Sequence, residues 1–259
     1  MTHAHHAHLH CHDVTVCHGR VPAVHHIDCH FGCGQFVAVV GPNGAGKSTF
    51  LKAVVGWLPL TTGSIEVGGV AATRCLQRIA YLSQQDQLDA RFPATVQEVV
   101  SVGRYPRLGW WRGFRIADHK AVIGAMREMG IDHLADRPVA ALSGGQRHRV
   151  LLARALASGA DVFLLDEPLA GLDQPGQHDL MERLASWRQR DRLVLAVLHD
   201  LDAARRWCSH ALVLDRHLVA AGPVAEALAG PVLTRAFHRA IDGGLRDGLR
   251  YGTAGSTHG

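Results

Sequence analysis

The sequence predicts an α/β fold built on a buried parallel sheet, and three stretches predict it. Phe36-Val37-Ala38-Val39-Val40 is a short, apolar, β-branched run that leads into a glycine-rich turn and then a helix-compatible segment, Phe50–Val55. Val162-Phe163-Leu164-Leu165 is a second such run and ends in two carboxylates, Asp166 and Glu167. Leu193–Leu198 is a third and ends at His199. Polar residues at the ends of buried strands stand on the edge where parallel sheets bind ligands.

The glycine-rich turn carries the most chemistry. Gly41-Pro42-Asn43-Gly44-Ala45-Gly46-Lys47-Ser48-Thr49 follows the pattern G-x-x-x-x-G-K-S of a phosphate-binding loop. Glycine permits backbone bends that a side chain would block. Successive N–H groups then point inward and cradle an anion, reinforced by the positive end of the following helix. Lys47 is expected to reach the β- and γ-phosphates of a nucleotide, and Ser48 to ligate Mg²⁺. Asp166 is expected near that metal and Glu167 beside a water that it polarises.

Size and composition set bounds. At 259 residues, with 47% hydrophobic and 19% charged residues, the chain is long enough for one substantial core. A net charge of +4 is too mild to argue for nucleic acid. No apolar run reaches the roughly 18–20 residues that span a bilayer, and the start lacks a signal-peptide core. A cytosolic chain is expected, with any membrane role supplied by a partner. Its six cysteines (11, 17, 29, 33, 75 and 208) are expected to be thiols.

The remaining segments follow in chain order. Residues 1–12 hold six histidines (His3, His5, His6, His8, His10 and His12), a composition that suggests metal binding as well as a loose tail. Three of them, His8, His10 and His12, share a face if the segment is extended. Residues 13–40 alternate as strands. Cys29 and Cys33, with His25, His26 and His30 nearby, have a permissible zinc spacing. No second tight pair follows, so a strand and turn that contain them is the expectation. Ser64–Val67 and Ile79–Leu82 read as strands, the second ending at Gln84, a residue placed to meet the metal or the attacking water.

Thr95 is spaced to cap a helix, and an aromatic loop with Tyr105, Trp110 and Trp111 follows it. A helix with an apolar stripe runs from about Asp118 to Met129. This region, about 86–142, reads as a helical insertion. Ser143 and Gln146 have capping-box spacing, so a helix is expected from there through Leu156, with Gly144 and Gly145 leaving its start bare. Asp173 falls in a loop. A hairpin through Asp215-Arg216, a short helix at Val224–Leu228 and a loose stretch over 242–259 complete the reading.

Taken together, these residues resemble the ATP-binding subunit of ABC transporters over nearly the whole chain. Walker A is 41–49, the Q-loop residue Gln84, and the signature Leu142-Ser143-Gly144-Gly145-Gln146. Walker B is 162–167, the D-loop acid Asp173 and the H-loop residue His199. The resemblance implies a P-loop NTPase, RecA-like core with an antiparallel β-subdomain and a helical subdomain, an ATPase domain over 13–241, and Mg²⁺ and ATP as cofactors. It further implies a head-to-tail homodimer in which Walker A of one copy and the signature of the other enclose ATP. Glu167 is then the general base, His199 holds the γ-phosphate, Gln84 senses it, and Lys47 offsets its charge.

The partner implied is an integral membrane permease, with the subunit peripheral on the cytoplasmic face and a periplasmic or surface metal-binding protein upstream. The segments Phe92–Val100 and Gly103–Trp110 resemble the zinc and manganese uptake branch, and the histidine-rich start leans towards zinc. An importer of siderophore, haem or cobalamin, and a soluble ABC ATPase of iron–sulfur cluster assembly, stay open as alternatives.

One position departs from the family pattern. The aromatic that stacks on adenine falls at His18, which stands 23 residues before Gly41. An imidazole stacks on less area than a phenol. His18→Tyr is therefore expected to tighten ATP binding, measured by fluorescent-nucleotide titration; unchanged or weaker affinity would count against His18 as the stacking residue.

Overall fold

The computed structural model describes residues 8–19, 21–86, 88–89, 93–108 and 113–237, the side chain of His18 excepted. His3, His5, His6, Trp110, Trp111 and the stretch 242–259 lie outside the described residues. The chain forms β1 (Leu9–His18), β2 (Val21–Phe31), β3 (Phe36–Val40), α1 (Lys47–Val54), β4 (Thr62–Val67), β5 (Val70–Ala71) and β6 (Ile79–Leu82). Next come α2 (Val96–Val102), α3 (Tyr105–Leu108), α4 (Ile116–Glu128), α5 (Gly144–Ala157), β7 (Val162–Leu165) and α6 (Gln174–Ser186). The last are β8 (Leu193–Val197), α7 (Leu201–Trp207), β9 (His210–Asp215), β10 (His217–Pro223) and α8 (Val224–Ala227). A helix over 230–237 ends the described chain.

Two sheets result. One has six strands in the order β10-β9-β3-β8-β7-β6, parallel throughout except for the β10 edge. Its central strands β3, β7 and β8 are buried at every residue, as expected of a parallel sheet covered on both faces. The other sheet is antiparallel, in the order β2-β1-β4-β5. Alternation along β3 feeds two cores. Phe36, Ala38 and Val40 pack with α2, α4, α5 and α6, while Val37 and Val39 pack with α1 and the antiparallel sheet.

Several sequence expectations shift. β1 begins at Leu9, so His10, Cys11 and His12 belong to a strand and not to a tail ending at residue 12. Leu9 and Cys11 are buried, and this apolar footing draws the segment into the sheet. Asp173 is no plain loop residue: it caps α6, accepting from the Gly176 N–H at 3.1 Å. Helices α6 and α7 and the helix over 230–237 have no counterpart in the sequence expectations, and Tyr105, expected in a loop, opens the short helix α3. The six cysteines are free thiols. Among the described residues no group of three or more His, Cys, Asp or Glu side chains is already gathered to hold a metal ion, and Cys29 serves the core of the antiparallel sheet. No described helix is long and apolar enough to cross a membrane.

The helices beside the parallel sheet are tied by buried charge. Arg104 donates to Asp118 through Nε and Nη2, at 2.9 and 2.7 Å, and to the Ala157 carbonyl at the end of α5. Asp118 also accepts from the Arg115 N–H at the start of α4. The Asp118 side chain is only 7% exposed. Removing one partner of such a pair strands the other charge away from water, which costs about 3–5 kcal/mol. Asp118→Ala is expected to lower unfolding stability by about that much in urea titration; a loss under about 1 kcal/mol, the range of an exposed pair, would overturn this assignment.

Candidate functional site

The glycine-rich loop lies between β3 and α1, and its neighbours dictate its path. Gly46, at φ 87°, is the left-handed N-cap of α1 and supplies no side-chain cap. A Cβ there would fall 2.2 Å from Val24 Cγ1 and 2.6 Å from the Ala23 carbonyl. At Gly41, φ 153°, a Cβ would fall 2.0 Å from the Leu214 carbonyl. Glycine is therefore required on packing as well as torsional grounds. From behind, the Arg216 N–H donates to the Ala45 carbonyl at 3.0 Å, and the His25 N–H donates to the Arg216 carbonyl at 2.8 Å. The β9–β10 turn thus clasps the loop to β2.

Lys47 is 7% exposed and donates to the carbonyls of Gly41 and Pro42, both at 2.9 Å. Burial pulls its pKa below the usual lysine value, against the opposing charges of Glu167 and Asp166. Ser48 Oγ donates to Asp166 Oδ1 at 3.0 Å, so the end of β7 and the start of α1 meet. The Asp166 N–H in turn donates to the Leu82 carbonyl at 2.8 Å, which fixes β7 against the end of β6.

Glu167 is held from two sides. Gln84 Nε2 donates to Oε2 at 2.8 Å, and His199 Nε2 lies 2.8 Å from Oε1. Its backbone sits at φ 55°, the left-handed region, at a cost of about 1 kcal/mol for a residue with a Cβ. Pro168 follows it, which disfavours the right-handed helical alternative. Gln84 therefore meets the carboxylate of Glu167, while the pair expected at the metal, Ser48 and Asp166, meet each other. A cleft of about 290 Å³ opens over the loop, lined by Gly41, Pro42, Asn43, His199 and Phe237.

Ser143 caps α5 in a full capping box with Gln146: the Gln146 N–H donates to Ser143 Oγ at 3.2 Å, and the Ser143 N–H to Gln146 Oε1 at 3.0 Å. Ser143, Gly145 and Gln146 line one small cleft with Asp173, and Gly144 lines a second, of about 810 Å³, with Gln84 and Glu167. Residues 41–49 line neither of these two clefts. His18 ends β1, its backbone paired with Val21, and its side chain lies outside the described residues.

Residues 24–170 match the family model described as ABC transporter. The chain belongs to the ABC transporter family. It is 36% identical over 225 residues to the zinc transport system ATP-binding protein TroB of Treponema pallidum, covering 87% of this chain and 85% of that one. It is also 36% identical over 211 residues to the manganese transport system ATP-binding protein MntB of Bacillus subtilis, covering 82% and 84%. Among solved structures, cbiO1 of Clostridium perfringens, part of the ABC transporter complex cbiONQ, superposes with a TM-score of 0.75 at 26% identity, covering 92% of this chain and 98% of that one. The glycine-rich loop and the end of β7 both lie within the residues that match the family model.

The sequence reading passed over Tyr81. Its hydroxyl donates to Asp166 Oδ2 at 3.3 Å, and Trp57 packs edge-on against its ring at 5.0 Å. Burial, then the Asp166 charge, push the phenol above its usual pKa, so it stays a donor at neutral pH. A partly buried tyrosine needs a partner for its hydroxyl, and the strand-end acids Asp166 and Glu167 were the available signal. Tyr81→Phe is expected to lower kcat for ATP hydrolysis about tenfold, the worth of one hydrogen bond to a charged group. KM for ATP should change little and the Mg²⁺ requirement should rise. A parent-like kcat and Mg²⁺ response would remove Tyr81 from the positioning of Asp166.

Proposed function

We infer that this chain is the ATP-hydrolysing subunit of an ABC importer for zinc or manganese, peripheral on the cytoplasmic face of the membrane and attached to an integral permease. The observation that carries the hydrolytic reading is the Glu167 carboxylate, fixed between Gln84 and His199 beside the Ser48–Asp166 pair. The cargo reading rests on the names of the relatives and on an alignment that spans most of both chains. A periplasmic or surface metal-binding protein would deliver the ion. The alternatives with siderophore, haem or cobalamin cargo, or with iron–sulfur cluster assembly, draw no support from those relatives.

Backbone N–H groups of the loop 41–49, Pro42 excepted, receive the β- and γ-phosphates of ATP, and Lys47 exchanges its two carbonyl partners for phosphate oxygens. Ser48 Oγ and Asp166 Oδ1, two hard oxygen donors 3.0 Å apart, suit Mg²⁺. When bound there, Mg²⁺ supplies charge neutralisation on the phosphates. Glu167 takes a proton from the attacking water as general base. Gln84 and His199 orient that carboxylate, and His199 would also reach a γ-phosphate bound in the cleft it shares with Pro42 and Asn43. Phosphoryl transfer asks mainly for positioning and charge compensation, which this set provides.

Ser143, Gly144 and Gly145 stand apart from the phosphate loop within one chain, so a second copy would bring them to the γ-phosphate in a head-to-tail homodimer. Closing and reopening of that dimer would switch the permease between its two access states. Glu167→Gln keeps the side-chain shape but removes the base. It is expected to trap an ATP-bound dimer on size exclusion and to abolish both ATP turnover and metal uptake by permease-containing vesicles. Turnover at the parent rate would refute the assignment of Glu167, and uptake of neither zinc nor manganese by parent vesicles would refute the cargo.

A further inference from the structure

The antiparallel sheet carries a histidine row that the hydrolytic site does not use. Along β1, Leu9 and Cys11 point into the core, so His8, His10 and His12 fall on the opposite face. On β2, Ile27, Cys29 and Phe31 point inward and leave Asp28 and His30 on that same outer face. On β4, Ile65 and Val67 are buried, and Glu66 lies outward. Strand register then lines up three side chains across three strands: His30 is paired with His10, and His10 with Glu66. One step along, His12 Nδ1 is 3.1 Å from Asp28 Oδ1. The His30 ring stands 5.9 Å from that of His10, edge-on, and 5.5 Å from that of His8.

We propose that this row, with His10, His30 and Glu66 as ligands, is a binding site for a borderline divalent transition metal of the zinc class. Metal–imidazole bonds of about 2.0–2.1 Å put the centroids of two rings sharing one ion roughly 5–6 Å apart, and the His10 and His30 rings stand 5.9 Å apart. Two imidazoles and a carboxylate, with water in the fourth position, form a known zinc ligand set. The described side chains do not yet converge on one point. Exposed rings turn about χ1 and χ2 in picoseconds to nanoseconds, so a bound ion can gather them without moving the strands. Packing does not call for imidazole on this outer face, because the inward positions alone fill the core. Imidazole ligands favour zinc over manganese, and the site should discriminate accordingly. It lies on a different sheet from the Walker motifs, so metal binding here is a property separate from ATP hydrolysis.

The test is titration of the full-length protein with Zn²⁺ and Mn²⁺ against a chromophoric chelator. Zinc is expected to bind at least tenfold more tightly than manganese. His10→Thr with His30→Thr, a pair that keeps β-propensity, should weaken zinc binding at least tenfold while ATP binding stays at the parent level. Replacing His3, His5 and His6 by alanine should leave this site in place. Parent-like zinc affinity in the double variant, or loss of all zinc binding in the triple variant, would overturn the proposal. If the double variant does not fold, Glu66→Gln decides: weakened zinc binding supports the row, and unchanged binding overturns it.

Discussion

Everything at the proposed nucleotide site depends on the close approach of three backbones behind the glycine-rich loop. Gly41 abuts the Leu214 carbonyl, Gly46 abuts Val24 and the Ala23 carbonyl, and the Arg216 N–H reaches Ala45. Two of those neighbours lie on the antiparallel sheet, and the others on β9 or the turn after it. The loop's shape is therefore not local. It is imposed by a strand of each sheet, and neither neighbour leaves space for a side chain at Gly41 or Gly46. Ser48 and Lys47 inherit their positions from that same turn, since α1 starts there without a side-chain cap.

The second constraint is the junction between the core and the helices that precede α5. Arg104 bridges α4 to the end of α5, while Glu128 at the end of α4 receives Arg190 and Arg192 from the segment before β8. Arg192 also lies over the rings of Phe163 and Trp187, 5.8 and 5.4 Å from their centroids. Guanidinium groups suit this work because one planar fork can satisfy a carboxylate and stack on an aromatic face together. Helix α5 is thereby referenced to the same strand, β7, that ends in Asp166 and Glu167.

Much of this was legible in the sequence. Buried strands that end in polar residues gave the sheet and its ligand edge, and cap chemistry at Thr95 and Ser143 located two helix starts. The parts that were not legible have identifiable physical causes. Helix α6 opens with Gln174-Pro175-Gly176, where glycine masks the start, although Asp173 followed by Pro175 is a cap signal that the sequence carries. The start of β1 was hidden by histidine, which is a poor strand signal, although Leu9 and Cys11 already marked the inward period. Gln84 was placed at a strand end correctly, but its partner is Glu167, a pairing that joins residues far apart in sequence. Tyr81 escaped because an aromatic in a strand is read as packing before it is read as a donor.

The Ser143 cap of α5 and the glycine-rich loop face different clefts. On the head-to-tail reading, one chain alone is a pair of unmatched halves, and a dilute solution should be catalytically second order in protein. Fastening two copies side by side on a shared scaffold changes that order. The effective concentration of one half at the other then rises to about the millimolar range typical of short tethers, with no new contact required. The membrane partner would in this way act as a concentrator as well as a recipient of work, and ATP consumption would be low wherever the subunit drifts unattached.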